Sequence, residues 1–277
     1  MTTFNFALNR MCLPHRPPAE FLALARKAGA PGIELRNDLA GLEIGDGSDL
    51  KRVREQVEGA GLTIVSVNCL ADFNVLTPSK LDEAEALFKS AAALGAPAVV
   101  LCPTFEPIYD WSAGEAQRNL RKALASLQPL LDKVGVKGLV EPLGMPHSTL
   151  NRQVHALEAV DGLTDGWESY GLLHDTFQFW RASDTEFFPD RISLVHVSGI
   201  SNTHMARQDL REPDRGFVFV DDRSETVSQL NRLRAAGYRG WVSMEPFDPQ
   251  VQQDPDIAGK LWASFGFLEA VCAPALA

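Results

Sequence analysis

The stretch LLHDTFQFW, residues 172–180, decides how the fold of this chain is interpreted. A carboxylate, Asp175, directly follows an apolar run that has the character of a buried strand. A buried carboxylate without a partner is costly, because its charge loses the hydration that water provides. The interpretation of Asp175 therefore depends on whether other strands of this 277-residue chain end in the same way.

Seven further apolar runs have the length and composition of buried strands. Together with YGLLHD (170–175), the predicted strands are FNFALN (4–9), GIELR (32–36), LTIVSVN (62–68), PAVVLC (97–102), VKGLVE (136–141), ISLVHV (192–197) and GWVSME (240–245). Segments of helical periodicity lie between them, among them residues 18–30, 81–96, 116–135 and 224–238. Glycines stand where helix C-caps are expected, at Gly29, Gly61, Gly95, Gly135 and Gly237.

The alternation of strands and helices predicts an α/β fold with a parallel sheet. Eight repeats of the unit predict closure into a single (β/α)8 TIM barrel, with residues 1–277 as one domain. The structural alternative is an open doubly wound sheet. That sheet would carry a glycine-rich phosphate loop after its first strand, where this chain has NRMCLPH (9–15).

Composition and charge argue against several classes of function. The formal charge of −10 and pI near 5.1 disfavour nucleic acid as a partner, because such binding relies on Lys and Arg at phosphates. The chain has neither the continuous apolar core of a signal peptide nor an apolar span of about 18 residues, so we expect no membrane partner. Its four scattered cysteines lack CxxC spacing and are typical of free thiols in the cytoplasm.

Ionisable side chains stand at the ends of four consecutive predicted strands. Glu141 ends the fifth strand, Asp175 the sixth and Glu245 the eighth, while His196 lies near the end of the seventh. Because the carboxyl ends of barrel strands converge on one face, we expect these side chains to lie close together. Three carboxylates would repel one another without a cation among them. The pattern therefore predicts one divalent metal ion, either Mn, Zn, Co or Mg.

Each of these residues also has an ordinary structural interpretation. Glu141 and Glu245 each precede a proline, and a glutamate in that position is commonly paired with an arginine. A lone histidine such as His196 is commonly a hydrogen-bonded core residue. The coincidence of four such residues on four consecutive strands favours metal binding. His174 is predicted to point to the other side of its strand and to be structural, and His155 to be a surface or packing residue of a helix.

Four segments at these strand ends resemble the metal-binding strand ends of the xylose-isomerase-like barrel superfamily of sugar isomerases and epimerases. They are VEPLG (140–144), HDTF (174–177), VHVSG (195–199) and SMEPF (243–247). Within that superfamily, the chain resembles the inosose isomerases, which interconvert keto-inositols. The segments that carry this resemblance are ALNRM (7–11), IELRND (33–38), VNCLADFN (67–74) and LVEPLG (139–144). The resemblance covers nearly the whole chain and is weakest at residues 200–222.

The resemblance implies a set of ligands and a type of reaction. Glu141, Asp175, His196 and Glu245 would bind the metal, which would stabilise an enediolate of the substrate as a Lewis acid. Glu141 and Glu245 would be the base and acid that move the proton between or across carbons. The first expectation is a 2-keto-myo-inositol (inosose) isomerase, and the alternatives are a ketohexose 3-epimerase and a hydroxypyruvate-type isomerase.

Arg36, Asn68 and His147 are expected to orient the hydroxyl groups of a sugar or inositol substrate. Arg36 could instead have a structural role, in an ion pair with Glu34 or Asp38. His147 could likewise have a structural role, as the cap of the helix that follows it.

The chain departs from the resemblance at Gln178. Many members of the superfamily carry a histidine three residues after the metal aspartate, where it contacts a substrate oxygen. Glutamine still donates and accepts hydrogen bonds, but it does not titrate near pH 7. The segment after the seventh strand also lacks the P-G-x-G-x-I/V-D motif common in the superfamily, so these departures bear on the identity of the substrate more than on the reaction type.

Two functions from other classes are also compatible with the sequence. A metal-dependent endonuclease of abasic sites shares the barrel, but it would need more histidines around several zinc ions and a basic groove. A non-catalytic sugar- or metal-binding barrel is the second alternative, and the retention of both glutamates argues against it. The sequence leaves open whether the chain forms a homo-oligomer.

Overall fold

Eight parallel strands form a closed barrel in which each strand pairs with the next along the chain and the last pairs with the first. The computed structural model describes residues 4–39, 43–44 and 47–272. The strands are β1 (Asn5–Asn9), β2 (Gly32–Arg36), β3 (Thr63–Leu70), β4 (Ala98–Leu101), β5 (Lys137–Val140), β6 (Tyr170–Asp175), β7 (Ile192–Val197) and β8 (Trp241–Met244). The predicted TIM barrel is thus confirmed, and an open doubly wound sheet is wrong.

The connections between strands are helical and surround the barrel. The α-helices are α1 (Pro18–Ala28), α2 (Leu50–Gly59), α3 (Pro78–Leu94), α4 (Ala113–Val134), α5 (Gln153–Asp161), α6 (Gly166–Ser169), α7 (Thr176–Arg181), α8 (Thr226–Ala235), α9 (Pro249–Gln252) and α10 (Ile257–Cys272). The five glycines predicted as C-caps all have left-handed φ angles, between 70° and 94°. None of the helices in the described ranges is both long enough and apolar enough to cross a membrane.

Predicted and observed boundaries differ by a few residues. The third strand continues to Leu70, two residues beyond its predicted end, and the fourth is shorter than predicted at both ends. The prediction that residues 1–277 form a single domain includes residues outside the described ranges, namely 1–3, 40–42, 45–46 and 273–277, and it stays a prediction for the whole chain.

The barrel interior has an apolar floor and a polar mouth. The floor is made of the buried side chains of Ala7, Val65, Ala98, Val100, Leu139, Leu173 and Leu194. Because side chains alternate between the two sides of a strand, residues two positions apart share the inward side. The three floor leucines are followed two positions later by Glu141, Asp175 and His196. The mouth, at the carboxyl ends of the strands, therefore receives the predicted ligands.

A larger apolar core fills the space between the barrel wall and the helices. Phe6 of β1 points outward into this core, and its ring stacks on the ring of Phe265 at a centroid distance of 4.2 Å. Phe265 belongs to α10, so this contact fastens the last helix to the first strand.

We expect Phe265→Ala to lower the free energy of unfolding by about 3–5 kcal/mol, because it leaves a cavity where a buried ring was packed. Trp262→Ala on the same helix is the matched control, since Trp262 is 66% exposed. Its effect should stay within about 0.5 kcal/mol. Urea unfolding of the three proteins measures both changes, and equal losses in the two variants would contradict the assigned role of Phe265.

His174 is a structural residue, as predicted. Its ring lies on the outer side of β6. There, Gln153 Nε2 donates to His174 Nδ1 (2.6 Å), and His174 Nε2 donates to Gln229 Oε1 (2.8 Å). The direction of the second bond follows because the amide nitrogen of Gln229 already donates to two backbone carbonyls. Burial lowers the pKa of His174 to about 4, so the ring is neutral at pH 7.

Candidate metal centre

The four predicted ligands meet at the mouth of the barrel. One ligand atom from each of Glu141, Asp175, His196 and Glu245 lies within 4.8 Å of the other three, and all four residues are buried. The strand ends thus bring together residues that lie between positions 141 and 245 of the chain.

Glu141 and Glu245 lie one residue beyond β5 and β8, and not within the strands as predicted. Each backbone N–H still donates to the neighbouring strand, Glu141 to the Leu101 carbonyl (3.1 Å) and Glu245 to the Val197 carbonyl (2.9 Å). The hydrogen-bond ladder therefore fixes the backbone of both glutamates although their strands have formally ended.

The ring of His196 is oriented as a metal ligand would be. Its Nε2 faces Glu34, with Oε1 at 3.0 Å. Its Nδ1 lies 3.1 Å from Glu245 Oε2 and 3.7 Å from Glu141 Oε1, yet it makes no hydrogen bond to either. A buried ring nitrogen that faces carboxylates without a hydrogen bond, while a carboxylate holds the other nitrogen, is typical of a metal-binding histidine. The donor set therefore fits a divalent ion.

Glu34 belongs to this site, although the sequence suggested it only as a partner for Arg36. Its side chain is fully buried on the inward side of β2, where it accepts hydrogen bonds from Ser66 Oγ (2.5 Å) and Asn9 Nδ2 (3.4 Å). Glu34 and Arg36 are two positions apart, so the period of the strand predicts that both point inward. That period was the available signal for Glu34.

Arg36 and Asn68, two of the predicted substrate-binding residues, lie against Glu245. Arg36 donates to Glu245 Oε1 (2.9 Å) and forms a two-bond pair with Asp38 (2.8 and 2.6 Å). Of the two structural partners considered for Arg36, the structure shows Asp38 and not Glu34. Asn68 Nδ2 also lies 3.4 Å from Glu245 Oε1. Both residues therefore hold Glu245 from the side of β2 and β3.

A second arginine, Arg215, reaches the site from segment 200–222, and no pattern in the sequence pointed to it. Its Nη2 donates to Asp175 Oδ2 (2.5 Å) and to Glu245 Oε2 (3.1 Å). Its Nη1 donates to Glu212 Oε2 (2.5 Å) and its Nε to Ser198 Oγ (2.9 Å). The residue is 1% exposed, so its charge is neutralised by these carboxylates and not by water.

The remaining two predicted substrate-binding residues differ in their surroundings. The side chain of Gln178 accepts from the Gly144 backbone N–H (2.8 Å) and donates to Glu212 Oε1 (2.7 Å), so it joins two loops at the mouth. His147 is exposed on the loop between β5 and α5. The alternative that His147 caps α5 is wrong, because the N-cap position is Arg152. Contact of either residue with substrate stays a prediction.

The charges of the cluster are strongly coupled. Burial raises the pKa of Asp175 to about 7, although Arg215 opposes the rise. Burial acts to lower the pKa of His196, but Glu34 and Glu245 outweigh it and hold that pKa well above its usual value. Burial acts to raise the pKa of Glu245, and His196 with Arg215 reverses this and lowers it. Without a metal ion the cluster therefore retains protons, and binding of an ion must release them.

Comparisons with known proteins agree with this architecture. Residues 22–265 match the family described as "Xylose isomerase-like TIM barrel". An inosose isomerase from Halalkalibacterium halodurans is 28% identical over 183 residues, which cover 62% of this chain and 61% of that relative. A crystal structure of a xylose isomerase domain containing protein from Salmonella typhimurium LT2 is 27% identical, with a TM-score of 0.85 over 96% of this chain and 97% of that one.

A crystal structure of the IOLI protein, which holds a zinc atom, is 20% identical with a TM-score of 0.80 over 97% of this chain and 96% of that one. At this identity the likeness speaks for the fold alone. The family match spans most of the chain, including β2 to β8 and the four residues of the candidate metal centre. The chain therefore belongs to the xylose isomerase-like TIM barrel family.

Proposed function

We propose that this protein is a divalent-metal-dependent isomerase or epimerase of a keto-inositol or ketose, with 2-keto-myo-inositol as the first substrate to test. The observation that carries the proposal is the buried cluster at the mouth, in which His196 Nδ1 faces the carboxylates of Glu141 and Glu245 without a hydrogen bond. The inositol substrate is supported by the relative named inosose isomerase, of which the match covers 61%. A ketohexose 3-epimerase or a hydroxypyruvate-type isomerase is the alternative within the same chemistry.

Glu141, Asp175, His196 and Glu245 would hold the ion, and Mn, Zn, Co and Mg all suit such oxygen-rich ligands with one nitrogen. When bound, the ion would supply Lewis acidity, which makes the hydrogen on the carbon beside a carbonyl easier to remove. Glu34 would keep the ring of His196 in place by accepting from its Nε2.

We assign removal of the substrate proton to Glu141. Its Oε2 accepts from the weak S–H donor of Cys102 (3.3 Å), so the carboxylate is less restrained than Glu245, which has Arg36 at one oxygen and Arg215 at the other. Glu245 would return the proton, to the adjacent carbon in an isomerisation or to the opposite face in an epimerisation. Arg36, Asn68 and His147 are proposed to orient the substrate hydroxyls.

The two functions from other classes make different demands on the site. An abasic-site endonuclease of the multi-zinc kind would need several histidines together, whereas His196 is the one histidine of the only candidate metal group among the described residues. A non-catalytic binder would need the same ligands as the isomerase. Only a measurement of turnover separates those two.

Proton exchange in deuterated water, combined with product analysis, tests the proposed function. The metal-loaded protein is incubated with a panel of keto-inositols and ketohexoses, and each sugar is examined by NMR for deuterium and for an isomer. We expect a new isomer from at least one member of the panel. Tight binding without exchange or product for every member would leave the non-catalytic binder as the better interpretation.

Gln178→Ala is expected to lower turnover about tenfold, which corresponds to the loss of one well-placed hydrogen bond, while metal content and fold are retained. The reason is that Gln178 stands where the resemblance implies a substrate contact, and its amide joins Gly144 to Glu212. Steady-state kinetics and metal analysis measure the two quantities. Gln128→Ala is the control, because Gln128 is a surface glutamine that donates to the Thr164 carbonyl.

If Gln178→Ala matches the wild type on the true substrate, then Gln178 only lines the mouth. In that case the difference from the usual histidine carries no mechanistic meaning.

The proposed partners and location follow from the same features. All four cysteines are free thiols, which supports a reducing compartment, and we propose the cytoplasm. A small sugar or inositol is the partner that the chemistry requires, with no role for nucleic acid or a membrane. A homo-oligomer stays a prediction.

A further inference from the structure

We infer that Arg215 is a built-in counter-cation that competes with the divalent ion, so that it stabilises the carboxylates when no ion is bound and lowers the affinity of the cluster for metal. The inference rests on the proposed metal centre, because it concerns the same ligands. It assigns a role to a residue of segment 200–222, where the resemblance to the family is weakest.

The guanidinium of Arg215 lies between two of the candidate ligands. A single nitrogen, Nη2, bridges two of the four candidate ligands, with Asp175 Oδ2 at 2.5 Å and Glu245 Oε2 at 3.1 Å. A divalent ion would have to bind between the same two carboxylates. Arginine keeps its charge at any pH of interest, so two cations would compete for these oxygens.

Asp175 and Glu245 are also held in place by residues other than Arg215. Asp175 Oδ1 accepts from the backbone N–H of Gln178 (2.9 Å), where Asp175 is the N-cap of α7. Glu245 Oε1 accepts from Arg36 (2.9 Å) and lies 3.4 Å from Asn68 Nδ2. Removal of the Arg215 side chain therefore takes away a positive charge and leaves the orientation of both carboxylates supported.

Glu212 offers the guanidinium another partner when a metal ion binds. Nη1 of Arg215 already donates to Glu212 Oε2 at 2.5 Å, and the side chain of Glu212 is 28% exposed. An ion that draws Asp175 and Glu245 away from Nη2 therefore leaves Arg215 in an ion pair. The competition is thus expected to lower metal affinity without abolishing it.

The backbone around Arg215 is fastened independently of its side chain. The carbonyl of Arg215 accepts from the backbone N–H groups of Phe247 and Asp248, each at 2.9 Å. The next residue, Gly216, forms a two-bond antiparallel bridge with Gly199. A substitution at Arg215 is therefore expected to leave this part of the chain in place.

The experiment compares the metal affinity of full-length variants after treatment with a chelator, with Mn²⁺ as the probe in isothermal titration calorimetry. Arg215→Met removes the charge and keeps an apolar stem between the rings of Phe177 and Phe247, which lie 5.2 and 4.7 Å from the guanidinium. We expect this variant to bind Mn²⁺ at least about tenfold more tightly than the wild type does, because tenfold is the lower end of the effect that one nearby unit charge has on an ionic equilibrium. Arg215→Lys keeps the charge and should stay within about threefold of the wild type.

Arg223→Gln is the matched control. Arg223 lies just after the same segment and donates to the backbone carbonyls of Asn202 and Met205. Its removal alters the loop but no ligand, so the Mn²⁺ affinity should match the wild type. The thermal midpoint of the chelator-treated protein should fall more for Arg215→Met than for Arg223→Gln, and added Mn²⁺ should restore more of it.

If Arg215→Met does not stay folded without an ion, it is purified with Mn²⁺ and the rate of release into excess EDTA is measured. Release of Mn²⁺ about tenfold slower than from the wild type supports the inference, because the same charge effect is expected to act on release. Affinity equal to or weaker than the wild type, or release that is equally fast or faster, overturns it while the metal centre stands. Failure of both wild type and Arg215→Met to bind Mn²⁺ or Zn²⁺ overturns the metal centre and the inference together.

Discussion

Glu141→Gln and Glu245→Gln are each expected to lower kcat by about 10²-fold or more, the lower range for the loss of a positioned acid or base. Glutamine has nearly the size of glutamate and keeps one oxygen for coordination and hydrogen bonding, but it lacks a basic oxygen. Substrate binding should survive in each variant wherever the metal is retained. The two variants thus separate proton transfer from binding.

Steady-state kinetics measures the loss, and NMR in deuterated water locates it. Deuterium is expected at the reacting carbon of the substrate with the wild type and should fade with both variants. Product analysis accompanies this test, because a proton passed directly between carbons would leave no deuterium. Glu55→Gln, on the exposed face of α2, is the control and should behave as the wild type. Full activity in Glu141→Gln would remove Glu141 from proton transfer.

Asp175→Asn is expected to weaken the binding of the divalent ion by at least about 100-fold, since loss of a direct ligand should exceed the 10–100-fold typical of outer-shell partners. The substitution removes a full charge and leaves an amide, which coordinates hard cations poorly. The fold should be kept, because asparagine is as good an N-cap as aspartate and its oxygen can still accept from the Gln178 N–H at the start of α7.

Metal analysis of the purified proteins and calorimetric titration with Mn²⁺ measure this change. Asp49→Asn is the matched control, because Asp49 is an exposed N-cap of α2 that accepts from the Lys51 N–H (3.0 Å) and is not one of the four candidate ligands. The wild type and the control should each hold one ion per chain. Unchanged metal content in Asp175→Asn would show that Asp175 is not a ligand.

The eight strands and the four candidate ligands were predictable because both rest on local pattern. Each strand is a short apolar run, and each ligand stands at or beside the end of such a run, as Asp175 does in LLHD. Barrel topology then brings strand ends together regardless of their separation in sequence. The exact strand ends were less predictable, since Glu141 and Glu245 keep ladder hydrogen bonds just beyond β5 and β8.

The partners of those ligands were less predictable because their positions depend on tertiary structure. Arg215 lies in a long irregular segment that returns to the mouth through the Gly199–Gly216 bridge, and no periodic pattern precedes it. The side-chain contacts of Gln178 depend on how two loops pack, so its spacing from Asp175 indicated where it lies but not what it binds.

The division of the barrel interior into an apolar floor and a polar mouth has a consequence for how this sequence can evolve. Stability of the barrel depends on the floor leucines, whereas the proposed reactivity depends on residues two positions further along the same strands. Drift in exposed loops at the mouth can alter which substrate is accepted without disturbing either layer, provided that Arg215 and its contacts with Asp175 and Glu245 are kept. A saturation mutagenesis library selected for folding alone should therefore accept many residues at the mouth, and one selected for turnover should accept very few.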